Sequence, residues 1–409
     1  MRTFRRLPSL AALSALPTLS ALSALPARLA LLAVLAVLAS GSLSGCAALA
    51  GSPAASASRP VDTLFYISAR AREAGKSVPR LATALEYGLV ITYRSTLADP
   101  NEGRVAFDVV DSVLLTRDAF IAQLRARVVT PADPDAFAVL YTHGFATGLG
   151  EAWEHSASSR TRARSTRPWI VFAWPSIGSG VAWPREGVIF SAAYRADSAS
   201  AVASRGAYAA ALGTVRDAIG GSRILAVAHS LGGQLIGETL ASDTALQVAL
   251  RADPLRAIAF VSPDIQAARF GDTIAPRIRP LSQRVVLYAS SDDRMLAMSE
   301  VVNDSERAGY IGDSKCGPIV RDVLETVDMT DGAYADSDLI HTFGTRHALR
   351  RKSAVLFDLV HVVGDQHVAS CRATLGTAAM LPSGAWKLLK GAVPSPDAAL
   401  QCAAASSMH

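Results

Sequence analysis

The feature that most limits what this chain can become is the run Ile224-Leu225-Ala226-Val227-Ala228-His229-Ser230-Leu231-Gly232-Gly233. It reads as a short strand, apolar on both faces, that passes without a linker into a serine flanked by small residues and then into a helix. So abrupt a turn forces the serine into a strained backbone conformation that projects its hydroxyl beyond the sheet edge, and small neighbours leave room for it. Ser230 is therefore the candidate nucleophile. Ala228 stands where the general G-x-S-x-G pattern has glycine. The plain alternative is a serine in a strand-to-helix loop that caps the helix. The buried strand before it and Leu231-Gly232-Gly233 after it favour the nucleophile. His229, whose adjacency to Ser230 points the two side chains apart, reads as filler of the turn or as support behind the site.

The rest of the chain has to supply a sheet for that strand. Leu64 to Ser68 and Tyr87 to Tyr93 are aromatic and β-branched runs that predict opening strands. Thr116 predicts a helix cap, with Phe120, Ile121, Leu124 and Val128 on one face and Arg125 and Arg127 off it. Further short apolar runs follow at Phe137 to Tyr141, Trp169 to Trp174, Ala257 to Val261 and Val285 to Ala289, with helical stretches at Ala199 to Ile219 and Leu231 to Ala241. Strands alternating with helices predict an α/β fold with a doubly wound, mostly parallel sheet flanked by helices. A chain of 409 residues, 50% of them hydrophobic, is long enough to bury such a core.

A serine nucleophile needs donors for an oxyanion, a base and an acid. His143-Gly144-Phe145 follows the strand at Phe137 to Tyr141, so the main-chain N–H groups of Phe145 and Leu231 are the expected oxyanion hole. A plain glycine turn is the alternative there, and His143 itself is structural on either reading. Two strand ends offer an acid: Asp264 in Ser262-Pro263-Asp264, and Asp292 or Asp293 after Val285 to Ala289. Asp293 closes the last strong strand and is the choice; each is also a plausible helix N-cap. Among His341, His347, His361 and His367, spacing alone does not choose the base. His361 lies in an apolar run that reads as core, whereas His347 stands in a loop ahead of the helix Ser353 to Val363.

The first 45 residues do not belong to this core. Arg2, Arg5, Arg6 and Arg28 precede an apolar run from Leu29 to Ala39, which is about half the roughly 20 residues a spanning helix needs. The run ends in Leu43-Ser44-Gly45-Cys46, which resembles a bacterial lipobox. That resemblance implies a signal peptide over 1–45 and a diacylglycerol on Cys46, giving attachment to the membrane through a lipid anchor. An ordinary cleaved signal or an uncleaved anchor is the alternative. Ala47 after the cysteine, by likeness to the sorting rule of diderm bacteria, implies the outer membrane facing the periplasm. Residues 46–60 read as a Ser/Ala-rich tether, 61–364 as the folded domain and 365–409 as a low-complexity, mobile tail with one short helix around Trp386.

Without the four signal arginines, the formal charge of +5 falls to +1, so the basic balance belongs to export and implies no nucleic-acid partner. Three cysteines remain besides Cys46, namely Cys316, Cys371 and Cys402, which allow one disulfide within a chain and leave its pairing open. No Cys/His cluster with metal-ligand spacing is present, and no metal or cofactor is expected.

Several segments together resemble a family of bacterial α/β-hydrolases of unknown function within the esterase/lipase superfamily. They are Phe65-Tyr66-Ile67-Ser68-Ala69-Arg70 and Tyr87-Gly88; His143-Gly144-Phe145 against H-G-Y; Trp174-Pro175-Ser176 against W-P-S; and Tyr194 to Ser204 against Y-x-x-D-x-x-S-A. Ala228 to Gly232 stands against A-H-S-M-G, Ser262-Pro263-Asp264 against A-P-D, and Tyr288 to Ser299 against an element whose Asp falls on Asp293. The late G-H-S-Y element falls on Arg346-His347-Ala348-Leu349, with Ala348 where the family has Ser. The resemblance implies the α/β-hydrolase fold and a Ser230, His347, Asp293 triad but brings no substrate; the expected reaction of that triad is acyl-enzyme hydrolysis of a carboxylic ester of a small molecule or lipid. The segment Gly178 to Ser191 is an insertion relative to that pattern, readable as a lid, a substrate wall or a longer surface loop. A non-catalytic envelope scaffold and an acyltransferase or thioesterase with the same triad are the competing classes. Arg160, Arg162, Arg164 and Arg167 read as a solvated face, with a phosphate-head-group site as the alternative; Arg346, Arg350, Arg351 and Lys352 bracket His347, and a preference for acidic substrates is a further expectation there. Substrate, acyl length and oligomeric state are not readable.

Overall fold

The computed structural model describes residues 61–94, 107–177, 187–312, 317–331 and 353–390, with 394, 395, 397, 398 and 402. Three antiparallel strands come first among the described residues: β1 (Val61–Glu73), β2 (Lys76–Arg94) and β3 (Phe107–Leu115). Strands and helices then alternate. Helix α1 (Arg117–Val128) precedes β4 (Ala138–Thr142), α2 (Leu149–Arg162) precedes β5 (Trp169–Ala173), and α3 (Gly187–Ala203) and α4 (Arg205–Ile219) precede β6 (Ile224–His229). Helices α5 (Leu231–Ser242) and α6 (Thr244–Ala252) lead to β7 (Ala257–Val261), and helical turns over 267–281 lead to β8 (Val285–Ala289). Helix α7 (Arg294–Asn303), β9 (Glu325–Asp328), α8 (Ser353–Asp358), β10 (Ala378–Met380) and β11 (Trp386–Leu388) complete the order.

The sheet has 11 strands in the order β10-β11-β9-β8-β7-β6-β4-β5-β1-β2-β3. From β1 through β5, β4, β6, β7, β8 and β9 to β11 every pairing is parallel. The expected doubly wound, mostly parallel α/β sheet is what forms. In β6, Ile224, Ala226 and Ala228 pack into one core while Leu225 and Val227 pack into the other. Both faces are therefore dry, which is why the strand reads as a continuous apolar run. Phe120 and Leu124 of α1, Tyr208, Leu212 and Val215 of α4, and Leu235 and Ile236 of α5 cover the first face. Trp153 and Ala157 of α2 and Val355 and Leu356 of α8 cover the second.

Local rules account for the helix ends. Thr116 caps α1, its hydroxyl accepting from the Ala119 N–H at 3.2 Å. Arg125 donates to the last carbonyls of α4, to Ala218 O at 2.9 Å and Asp217 O at 2.6 Å, where a cation complements the helix dipole. The stretch expected as one helix from Ala199 to Ile219 is two helices, because Ser204 closes the first by donating its hydroxyl to Ser200 O at 2.7 Å. Of the segment Gly178 to Ser191, residues 178–186 lie outside the described ones and the remainder opens α3.

The tail expected beyond Gly364 is corrected. Strands β10 and β11 extend the sheet, β11 pairing with β9 and not forming the helix expected around Trp386. Cys371 and Cys402 form a disulfide, and Arg372 is wholly buried. Its guanidinium makes two 2.7 Å bonds to the Asp358 carboxylate and also pairs with Glu325, to which Arg284 donates as well. Tyr288 completes the cluster by donating to Asp358 at 2.7 Å. Trp386 and Leu388 add apolar anchorage. A few well-placed side chains suffice here, and bulk composition hides them.

The arginines expected as a solvated face make contacts within the chain. Arg167 pairs with Asp133 and Asp365 and lies over the Phe137 ring at 4.8 Å. Arg162 donates to Ser353 Oγ at 3.2 Å and Arg164 to Pro394 O at 3.2 Å. Among the described residues no helix is long and apolar enough to cross a membrane.

Candidate active site

Strand β6 stands at the centre of the sheet, and the chain order reverses beside it: β4 continues to β5 on one side, while β6 opens the series running to β9 on the other. In a sheet of this type the crevice at such a switch point, outside the carboxyl ends of the strands, is where ligands bind. His143-Gly144 leaves β4 at that edge, and Ser230 leaves β6.

Ser230 has φ 55° and ψ −124°, a conformation strained for a residue with a side chain. It persists because neighbours fix both sides of the turn. The Ser230 N–H donates to Val261 O at 3.1 Å, and its carbonyl accepts from Gly233 N at 2.8 Å and Asp264 N at 3.1 Å. Helix α5 begins at the next residue, Leu231, so the first unpaired N–H groups of a helix lie directly behind the serine. Two other non-glycine residues with positive φ, Ala146 and Ser262, follow β4 and β7 at the same edge. Three strained positions at one edge mark the site geometrically.

The glycines flanking the serine set how closely the strands approach. A β-carbon on Gly144 would stand 2.7 Å from the Ser230 Cβ, and one on Gly232 would stand 2.5 Å from His143 O. The H-G turn after β4 is thus pressed against the Ser230 turn, with Phe145, the expected hole residue, next in the chain. His143 is buried and stacked on Trp174 with ring centroids 5.1 Å apart. Burial holds its pKa down to about 3, so it is neutral. Its Nδ1 bonds Gly144 O at 3.0 Å, and Trp174 Nε1 donates to His143 O at 2.8 Å. This fits the structural role expected for it.

The acid candidates occupy neighbouring strand ends. Asp264, after β7, accepts from Ser299 Oγ at 2.7 Å and faces Arg307 Nε at 3.4 Å. Asp293, after β8, is buried and caps α7 by accepting from the Leu296 N–H at 3.1 Å. The expected base His347 and the alternative His341 lie outside the described residues, as do Cys46 and Cys316. The other two histidines are engaged elsewhere. His361 Nε2 bonds Ala163 O at 2.8 Å and its Nδ1 lies 3.5 Å from Asp365, while the His367 carbonyl accepts from Arg284, which precedes β8. Both contacts belong to the amino ends of the strands, the edge opposite Ser230.

Sequence reasoning missed a buried polar network beside the Ser230 turn. Asp197 of α3 is fully buried and accepts from Ala146 N at 2.9 Å, Ile177 N at 2.9 Å and Ser176 Oγ at 2.5 Å. Burial raises its pKa against these donors. Arg70 donates to Trp174 O at 3.1 Å and Ser176 O at 2.7 Å, and burial lowers its own pKa. Within one turn of Asp197 on α3 lies Tyr194, which packs on Phe145 with ring centroids 5.9 Å apart; its hydroxyl accepts from Asn303 Nδ2 of α7 at 3.2 Å and lies 3.2 Å from Ser299 Oγ. The signal was present: Arg70, Ser176 and Asp197 each fall in a segment that carries the family resemblance, but nothing in their spacing announces that they meet.

The sheet order, the crossover at β6 and the strained serine at its carboxyl end define the α/β-hydrolase fold. The model of a family described as alpha/beta hydrolase of unknown function (DUF900) matches residues 117–344, more than half of the chain, and the chain belongs to that family. The match includes Ser230, Asp264, Asp293 and His341 and ends before His347. No curated protein matches. Among solved structures, the chain is similar to an arylesterase at 9% identity, covering 80% of this chain and 91% of the other, with a TM-score of 0.26. It is also similar to an esterase of Pyrobaculum calidifontis at 10% identity, 75% and 87% coverage and a TM-score of 0.32. A thermostable carboxylesterase cloned from a metagenomic library gives 12% identity, 74% and 90% coverage and a TM-score of 0.30.

Proposed function

We propose that this protein is a serine hydrolase that cleaves a carboxylic ester through an acyl-enzyme on Ser230. The observation that carries the reading is the strained Ser230 at the end of the central strand, with Gly144 pressed against it from β4 and a helix beginning at Leu231. In this reading His347 takes the proton from the Ser230 hydroxyl as its oxygen attacks the ester carbonyl carbon. The N–H groups of Phe145 and Leu231 hold the resulting oxyanion. Collapse breaks the ester C–O bond, His347 returns the proton to the departing alcohol, and water attacks the acyl-serine by the same route to release the acid.

Asp293 is the acid that orients His347. The Arg307 guanidinium beside Asp264 already compensates that carboxylate, which would weaken its support of an imidazolium. The family resemblance places its Asp on Asp293 as well. The enzyme is attached to the cell envelope through lipidated Cys46, on the periplasmic side of the outer membrane. The Cys371–Cys402 disulfide supports an oxidising compartment outside the cytosol.

The test is turnover of a p-nitrophenyl ester series by the full chain and by Ser230→Ala, Asp293→Asn and His347→Ala. The serine variant is expected to lose up to about 10⁶-fold in kcat, and Asp293→Asn about 10⁴-fold. Full activity in His347→Ala would transfer the base to His341, and full activity in Ser230→Ala would end the reading.

A further inference from the structure

The main chain that follows Gly144 is held by side chains on both of its flanks. The Phe145–Ala146 peptide is bonded at each end: its N–H, on Ala146, donates to Asp197 Oδ2 at 2.9 Å, and its carbonyl, on Phe145, accepts from Thr147 Oγ1 at 3.1 Å. Thr147 is itself fixed, its N–H donating to Ser176 Oγ at 3.0 Å, and that hydroxyl donates onward to Asp197 at 2.5 Å. The second Asp197 oxygen accepts from Ile177 N at 2.9 Å, so one carboxylate ties the turn after β4 to the turn after β5. Ser200, one turn further along α3, adds a second bond to the turn after β5 by donating to Pro175 O at 2.8 Å. Ala146 needs such support, because its φ of 51° is unfavourable for alanine.

We infer that Asp197 is a positioning residue for the oxyanion hole, its carboxylate fixing the Phe145–Ala146 peptide so that the preceding N–H, on Phe145, is aimed at the space beside Ser230. This deepens the hydrolase reading and rests on it. The chemistry requires such a device: an oxyanion donor is effective only if it is oriented before charge develops, and the turn after β4 contains a glycine and a strained alanine that would otherwise move. Removing one donor from such a hole costs about 10²- to 10³-fold in kcat, and misplacing it by about 1 Å costs about 10²-fold. Asp197 touches no substrate, so its effect belongs in kcat and not in KM.

The experiment compares the full chain with Asp197→Asn and with the milder Ser176→Ala, by ester kinetics and by amide hydrogen exchange. Asparagine keeps the volume but offers one acceptor oxygen where three donors converge. The expected result for Asp197→Asn is a kcat lowered about 10- to 100-fold with KM within about twofold. Faster exchange at Ala146 and Ile177 should accompany it, with β4, β6 and β7 still protected. Ser176→Ala should loosen Thr147 most and lower kcat less. A wild-type kcat in folded Asp197→Asn overturns the inference. So does a loss of exchange protection spread evenly through the strands, which marks a merely structural carboxylate. A wild-type chain that turns over no ester overturns the hydrolase reading instead, and exchange at Ala146 still decides whether Asp197 holds the turn.

Discussion

Gly144 shows how little room a single residue has at the candidate site. A methyl group there would overlap the Ser230 side chain, and the contact is with the central strand, which has no freedom to retreat. Gly144→Ala is therefore expected to lower stability by about 1–3 kcal/mol by urea unfolding and to reduce ester turnover more than that loss explains. An alanine variant with wild-type stability and turnover would mean that the β4 turn stands farther from Ser230. Arg372 is constrained in a different way. Its guanidinium is buried against two carboxylates, Asp358 and Glu325. Removing it in Arg372→Ala leaves the buried Asp358 carboxylate without its cation, while Glu325 keeps Arg284, at a cost of about 3–5 kcal/mol. Replacing it by methionine alone should do no better, since the carboxylates remain.

Among the elements, those whose sequence carries a period were legible and those held by a few contacts were not. Strands β4 to β8 could be read because burial on both faces demands unbroken apolar runs, and α1 could be read from its cap and its stripe of Phe120, Leu124 and Val128. The sharp turn at Ser230 was legible for the same reason, since a buried strand runs there directly into a helix. Helix α3 was legible only in part: its polar Asp197 faces inward, where no hydrophobic period announces it. Strands β10 and β11 have 3 residues each and owe their place to Trp386, Leu388, Arg372 and the disulfide. That bridge closes a loop across a sequence separation of 31. Cys402→Ser is accordingly expected to destabilise the chain by about 2–4 kcal/mol and to make β10 and β11 exchange faster in hydrogen-exchange measurements. Equal protection with and without the bridge would show that the ion cluster alone holds this edge.

At the scale of the molecule, buried charge sets how stability responds to pH. Burial alone would raise Glu325 and Asp365, but Arg372 and Arg284 for the first, and His361 and Arg167 for the second, hold both below their ordinary values. A carboxyl depressed in the folded state stabilises above its unfolded pKa and loses that contribution as pH falls through the folded value. His143 and His367 act from a higher pH: burial lowers both below 6.5, so the unfolded chain takes up protons there first. Asp197, raised by burial, has the opposite sign. The balance predicts that the urea midpoint declines from about pH 6.5 downward and more steeply below about pH 4.5. A midpoint flat from about pH 7 to about pH 4 would contradict the buried networks.

The central claim, that Ser230 is an activated nucleophile in an organised site, is tested most directly by intact-mass labelling of the purified full chain with a fluorophosphonate. The account predicts a single adduct, mapped to Ser230 by peptide sequencing and absent in Ser230→Ala. A folded wild-type chain that takes up no label, or a Ser230→Ala variant that labels as fast as wild type, would contradict it.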